Sequence, residues 1–476
     1  MTDTITTEST SIPAGIFRAY DIRGIADTEL TPHNIGIIGR GIGQMALAQG
    51  INQLYLARDT RLSSPRLAQA LRSGLLASGC HVIDLGTVPT PLLYFATHST
   101  DCDSGVMLTA SHNPGEYNGI KIVLRRTCLT PEQIQGLLHR CQSLSTEPDP
   151  ASTTIAGSCR NHDIVADYIE TVRQNIQLQR PLRVVVDCGN AVPGLVAPAL
   201  MQALGCEVTP LYCDPDGRFP NHHPDPTVSD NLSSLIEHIR LTGADLGIAL
   251  DGDGDRVVVV SNSGVIIDTD RLLMFFVRDI VPRNKRKNVV FDVKCSKLLI
   301  DEIKQCGGIP IMSRSGHSFM KHRMQETNAA IGGEFSAHVF IRDRWYGYDD
   351  GLYVAARFME LLAASNGSVD DMLATLPVSV ITPELRIPVA EAYKFALMER
   401  LLVLVREPGV LPNASINNLD GVRADFADGW GLVRASNTTP ALLLRFEASS
   451  EQALAGIQQQ FRELLARADR ALEIQF

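Results

Sequence analysis

Three times along the chain an amphipathic run ends at a glycine beside a cysteine and gives way to a short apolar run. The copies are 67–78, Gly79-Cys80 and 81–85; 195–204, Gly205-Cys206 and 207–211; and Lys297–Gln305, Cys306-Gly307-Gly308 and 309–312. Each copy follows another apolar run, at 54–57, 184–186 and 289–291. Apolar positions at helical spacing, closed by glycine in the left-handed conformation, predict a helix with a strand on either side. Strand–helix–strand with short loops predicts three parallel, right-handed βαβ units in tandem. Two further apolar runs, 246–250 and 257–260, predict strands separated by only six residues. From about Pro377 the pattern changes. Strands are predicted at 385–389, 415–419, 422–426, 431–434 and 442–446, with helices at 391–405 and Glu451–Ala468. Short turns between those strands predict an α+β domain with an antiparallel sheet.

The chain has 476 residues, too many for a single core, so three or four domains are expected. A net charge of −10 argues against a nucleic-acid partner, which would be gripped by a lysine and arginine surplus. No apolar run is long enough to span a bilayer, and residues 1–11 lack the cationic start and apolar core of a secretory signal. The 10 cysteines are scattered without a C-x-x-C pair. Free thiols in a reducing cytoplasm are therefore expected, without a disulfide or metal role.

Between the strands at 246–250 and 257–260 lie Asp251, Asp253 and Asp255, alternating with glycine. Carboxylates this close repel one another unless a cation intervenes, and oxygen-only ligands favour a hard one such as Mg²⁺. A calcium EF-hand is excluded: its sixth position would be glycine and is Arg256, its twelfth would be glutamate and is Asn262. The run 109–114, Thr-Ala-Ser-His-Asn-Pro, follows apolar residues and is expected to present the Ser111 hydroxyl on a tight turn. Without a G-x-S-x-G elbow, a serine hydrolase has no support. A metal held beside a serine that carries phosphate would be a phosphoryl-transfer centre. If 333–338 is extended, Glu334, Ser336 and His338 share one face and suit the vicinal hydroxyls of a sugar. The turn 434–440 gathers Arg434, Ser436, Asn437 and Thr438 into a phosphate cradle. The charged turns 20–24 and 58–61 fit a solvated loop or an ion pair between domains equally well.

Taken together and in this order, Phe-Arg-Ala-Tyr-Asp-Ile-Arg-Gly at 17–24, the serine turn, the aspartate loop, Gly-Glu-Phe-Ser-Ala-His at 333–338 and the arginine turn at 434–440 resemble the α-D-phosphohexomutase superfamily. The runs 221–226, 292–295 and 429–431 resemble its bacterial phosphomannomutase/phosphoglucomutase branch. The resemblance implies four domains around a central cleft, three related mixed α/β domains and a fourth that is α+β and like the TATA-box-binding protein. The expected divisions are 1–158, 159–265, 266–377 and 378–476. It implies an isomerase that moves phosphate reversibly between C1 and C6 of mannose and glucose phosphates. Ser111 would be the phosphoserine, and Asp251, Asp253, Asp255 and Ser111 would hold one Mg²⁺. A hexose 1,6-bisphosphate would be the intermediate and activator. Glu334 and Ser336 would read the sugar's 3- and 4-hydroxyls; Arg434, Ser436, Asn437 and Thr438 would bind the phosphate that stays. Tyr20, Arg23, His112, Lys121, Arg256, Lys294, His317 and His338 would line the cleft, with His338, Lys121 and Arg23 as candidates for the general acid and base. A cytoplasmic monomer is expected, with phosphorylated hexoses and no membrane as partners. The alternatives are a phosphoglucosamine mutase, which usually has glutamine where Phe335 stands, and a metal-dependent sugar phosphatase. One departure stands out: the family usually has glycine where Ala337 stands, and a positive φ there would strain a residue with a Cβ.

Overall fold

The computed structural model describes residues 12–146, 156–436, 439–474 and 476. It divides into two compact units: the first runs to Ile267 and takes in Ser336–Asp370, the second comprises Asp268–Phe335 and Asp371–Phe476. All three predicted βαβ phrases are present. Gln53–Arg58 and His81–Thr87 pair in parallel across the helix Ser64–Ala77, and Arg183–Asp187 and Glu207–Leu211 across Ala197–Ala203. In the second unit Asn288–Asp292 and Ile309–Ser313 pair in parallel across Lys297–Gln305. The glycines that stop these helices, Gly79, Gly205 and Gly307, have φ of 95°, 89° and 76°, the left-handed cap expected of them.

In the first unit Gly105–Leu108 runs parallel to Gln53–Arg58 and antiparallel to Tyr117–Leu124, which is antiparallel to Ile22–Ile25. Val106, Leu108, Ile120 and Ile122 from the paired strands share one core with Ile38, Ile42 and Leu71. The serine turn therefore connects two adjacent strands that are buried except at Tyr117. A second sheet pairs Leu246–Leu250 with Arg183–Asp187 in parallel and with Val257–Ser261 antiparallel, in the register Leu250↔Val257. The aspartate loop is thus the tip of a buried hairpin.

Residues 336–370 are fixed to this unit by an aromatic cluster around Asp350. Trp345 stacks on Tyr353 at 4.3 Å between ring centres and on Phe95 at 5.8 Å. Asp350 accepts hydrogen bonds from the Tyr353 N–H (2.9 Å), the Tyr168 hydroxyl (2.8 Å) and Trp345 Nε1 (3.1 Å). Burial nevertheless dominates and raises its pKa from 3.8 to about 7. The folded protein then keeps a proton that the unfolded chain releases near pH 3.8. The associated stability is fully present below that pH and is lost as pH rises to about 7, by up to about 4 kcal/mol. Urea unfolding of wild type at pH 5 and 7.5 is expected to show this decline, and Asp350→Asn is expected to show a shallower one.

In the second unit Leu385–Pro388, Ser415–Asn417, Val422–Asp425, Gly429–Ala435 and Ala441–Ala448 form the predicted antiparallel sheet, with Glu391–Leu404 and Glu451–Ala468 as its helices. Leu397, Leu401, Val433, Phe446, Phe461 and Leu465 fill its core. All 10 cysteines are free thiols, and Cys159 is exposed. Among the described residues no helix is long and apolar enough to cross a membrane.

The segment 333–338 does not stay extended. The strand ends at Gly333 and the chain turns through Phe335 and Ser336. The alternation that would put Glu334, Ser336 and His338 on one face therefore does not apply; Glu334 belongs to the second unit, Ser336 and His338 to the first. Ala337 has φ of 73°, so the positive φ is real. Its methyl group is buried in a core with Val185, Leu211, Val258 and Val260. A left-handed alanine is strained by about 1–2 kcal/mol. Against that stand about 0.8 kcal/mol for burying the methyl and about 0.4–1 kcal/mol for the freedom glycine would add to the unfolded chain. Ala337→Gly is expected to change stability by less than about 1 kcal/mol, whereas Ala337→Val, branched and overpacked, is expected to lose about 2 kcal/mol or more in denaturant melts.

Candidate active site

The serine turn and the aspartate hairpin meet inside the first unit. Ser111 sits at φ 51°, and its hydroxyl donates to Asp251 Oδ2 at 2.7 Å. The expectation that the turn exposes this hydroxyl is wrong: Ser111 is only 3% exposed, because the aspartate loop covers it. Gly252 makes that cover possible. A Cβ there would lie 2.1 Å from the Ser111 carbonyl oxygen. The Ser111 N–H donates to Thr109 Oγ1 at 2.9 Å, and His112 Nδ1 lies 3.2 Å from Ser111 Oγ. Burial, then the Arg256 and Arg23 guanidinium groups, hold the His112 pKa well below its usual value, so this ring is neutral at pH 7.

Asp251, Asp253 and Asp255 are fully buried, and each offers an oxygen within 4.8 Å of the others. Asp251 Oδ1 accepts the Gly254 and Arg256 N–H groups at 3.0 and 3.1 Å. Lys121 Nζ bridges Asp253 Oδ2 and Asp255 Oδ2 at 2.6 and 2.5 Å, and Thr90 Oγ1 donates to Asp253 Oδ2. Burial alone would raise Asp253, but the Lys121 ammonium outweighs it and lowers the pKa to about 2. Asp251 is pushed well above its usual range by burial and by its two neighbours. Lys121 is held protonated: burial opposes its charge, and Asp253 and Asp255 more than restore it. The oxygens Asp253 Oδ1 and Asp255 Oδ1 are buried and accept no hydrogen bond. Buried carboxylate oxygens with no donor fit a hard divalent cation.

Arg256 Nε donates to His338 Nε2 at 3.0 Å, which leaves the ring proton on Nδ1, 3.1 Å from Asp349 Oδ2. The backbone of His338 bridges to Arg256, and the Ala337 carbonyl accepts the Val257 N–H. His338 is thus placed beside the aspartate loop. Arg23 donates to Asn113 Oδ1 and to Asp21, so it grips the serine turn, while Tyr20 lies half-buried in the bend before Ile22–Ile25.

The second unit gathers the remaining candidates, apart from Ser336. Glu334, 1% exposed, accepts the Gly316 N–H at 2.6 Å, just before His317 opens a helix. Asp420 takes the Ser315 N–H at 3.1 Å and pairs with Arg434 at 3.1 Å, which ties the arginine turn to the same loop. Arg434 Nε is buried and makes no hydrogen bond among the described residues. Lys294 follows Asp292, with Nζ 3.9 Å from its carboxylate, and its backbone is clamped by Arg445 and Arg423 through the carbonyls of residues 293–295. Ser436 Oγ accepts from Thr439, and Lys394 Nζ bonds the carbonyls of Ser436 and Thr439 from beneath. Asn437 and Thr438 lie outside the described residues. Sequence reasoning missed Thr90, Asp349, Asp420 and Lys394. Each acts through a partner outside its own segment, so none had a local pattern to betray it.

Four family models match in succession, described as phosphoglucomutase/phosphomannomutase alpha/beta/alpha domains I, II and III and the C-terminal domain, over residues 14–146, 166–264, 268–379 and 384–464. A phosphomannomutase/phosphoglucomutase of Pseudomonas aeruginosa is 48% identical over 99% of this chain and 100% of its own. A phosphoglucomutase of Neisseria gonorrhoeae is 43% identical over 96% of this chain and 97% of its own. The crystal structure of a phosphoglucomutase/phosphomannomutase family protein from Burkholderia thailandensis superposes with a TM-score of 0.91 at 42% identity, covering 98% of this chain and 100% of that one. The chain is a four-domain α/β member of the phosphoglucomutase/phosphomannomutase family, within the α-D-phosphohexomutase superfamily.

Proposed function

We propose that this protein is a phosphomannomutase/phosphoglucomutase that moves phosphate between C1 and C6 of mannose and glucose phosphates, through phosphoserine at Ser111 and a hexose 1,6-bisphosphate. The observation that carries this is the Ser111 hydroxyl, 2.7 Å from the nearest of three buried carboxylates, two of which keep an acceptor oxygen to spare. A phosphate on that oxygen would bring further negative charge against the carboxylates. Only a cation held between them reconciles the two, and Asp251, Asp253 and Asp255 fit Mg²⁺ in that place. When bound, the metal neutralises charge on the phosphoryl oxygens and on Ser111 Oγ.

The residues divide the rest of the work. Ser111 Oγ gives its phosphoryl group to a sugar hydroxyl and later takes back the other phosphate. Lys121, held as an ammonium by Asp253 and Asp255, is assigned to offsetting their charge. We assign the hydroxyl's proton to His338, whose Nε2 is the acceptor of the ring and must first release the Arg256 Nε–H that it holds here. Arg23 and Arg256 are permanent cations for phosphoryl oxygens. Glu334 in the second unit and Ser336 in the first are each assigned sugar hydroxyls, and the buried Arg434 with Ser436, Asn437 and Thr438 the phosphate that does not react; Tyr20 and His112 of the first unit, and Lys294 and His317 of the second, are assigned to substrate contact. Reading only the 3- and 4-hydroxyls would leave C2 unread and let both mannose and glucose phosphates be accepted.

Turnover of mannose, glucose and glucosamine phosphates, with inorganic phosphate followed in parallel, tests the assignment. Isomerisation of the first two with the ester conserved is expected. Steady phosphate release would indicate a phosphatase, and preference for the amino sugar a phosphoglucosamine mutase.

A further inference from the structure

Ser111 is not glycine, asparagine or aspartate, yet it is held in the left-handed region at φ 51°. The group that holds it lies beneath the turn, 50 residues earlier in the chain. Arg61 is 1% exposed. Its Nη2 donates to the carbonyls of Ser111 (2.7 Å) and Asn113, and its Nη1 to those of Pro114 and Tyr117 (3.1 Å). Nε donates to Asp59 Oδ2 at 3.1 Å, so all five N–H bonds of the guanidinium are used. Asp59 is itself fixed. Its Oδ1 accepts the Arg61 N–H and the Ser64 hydroxyl, and its own N–H donates to the Leu108 carbonyl at the end of the strand that delivers the serine turn. On the far side the Phe219 ring lies 5.3 Å from the guanidinium carbon, and Gly217 pairs with the Arg61 backbone.

We propose that Arg61, aimed by Asp59, is the positioning residue that sets the reactive conformation of the Ser111 turn. This rests on the reading of Ser111 as the phosphoryl carrier. Four carbonyl dipoles of one turn converge on a single planar cation. Their negative ends are thereby turned away from the oxygen that carries phosphate, and the serine backbone is locked where Oγ reaches the aspartate loop. Arg61 touches neither substrate nor metal ligand side chains; it acts through the turn. The fork is essential. A lysine ammonium has three donors on one atom and cannot serve four carbonyls and a carboxylate.

Arg61→Lys keeps the charge and loses the fork. It is expected to lower kcat about 100-fold, because a small misplacement of a reacting atom has that effect, with KM for the hexose phosphate within about threefold of wild type. The phosphorus NMR resonance of the phosphorylated enzyme is expected to broaden and shift. Asp59→Asn, which loosens the aim and keeps the arginine, is expected to move kcat and the resonance the same way by less. It carries the test if Arg61→Lys does not melt cooperatively. Wild-type kcat and an unchanged resonance in the folded variants would overturn the proposal while leaving Ser111 as the carrier. Failure of wild type itself to take up phosphate on Ser111 from a hexose 1,6-bisphosphate would overturn both.

Discussion

Ser111→Ala is expected to lower turnover by about 10⁴-fold or more while the variant still binds hexose phosphate with near wild-type affinity. The loss follows from the single atom removed. Ser111 Oγ is the hydroxyl that hydrogen-bonds into the aspartate loop, and Asp251 can position a donor oxygen but cannot itself carry and return phosphate in its place. Binding persists because the proposed sugar and phosphate ligands in the second unit, Glu334 and Arg434, are built on their own supports, Gly316 and Asp420. Steady-state kinetics and calorimetric titration on one preparation measure the two quantities. The fold is expected to survive, since alanine loses only the hydroxyl, although it inherits the same left-handed backbone.

Asp251→Asn is expected to separate stability from activity. In wild type, adding Mg²⁺ to about 100 times its dissociation constant is expected to stabilise the fold by about 2.7 kcal/mol by mass action. Asn keeps the acceptor for the Gly254 and Arg256 N–H groups but removes a carboxyl whose ionisation burial and its two acidic neighbours oppose. The metal-free variant is expected to be about 1 kcal/mol more stable than metal-free wild type, to gain little from Mg²⁺, and to turn over about 10³-fold more slowly. Thermal melts with and without a chelator, beside an activity assay, test this. A variant that melts lower than wild type without metal would show that Asp251 is a structural acceptor first.

Legibility from sequence follows the range of the interaction. The three βαβ phrases and the final antiparallel sheet were readable because burial imposes a period on neighbouring residues, and their glycine caps have the φ that the pattern demands. The aspartate loop was readable because like charges at alternate positions need an outside cation. The turn at 333–338 was not. Alternation of polar and apolar residues fits a strand, but Ala337 takes positive φ and the chain passes from one compact unit to the other there. Burial of Ser111 was likewise hidden, because it depends on Gly252, far downstream, having no side chain. The charged turn 58–61 showed its residues but not their task. Arg61 serves carbonyl oxygens, which every residue carries, so no side-chain pattern marks its partners.

The central claim is that one serine oxygen carries the phosphoryl group beside a trio of metal-binding carboxylates. Intact-mass spectrometry of the protein before and after incubation with a hexose 1,6-bisphosphate, followed by peptide mapping, tests it most directly. The account predicts the added mass of one phosphoryl group, located on Ser111 and absent from Ser111→Ala. An unmodified protein that still isomerises hexose phosphates, or a phosphate on any other residue, would contradict it.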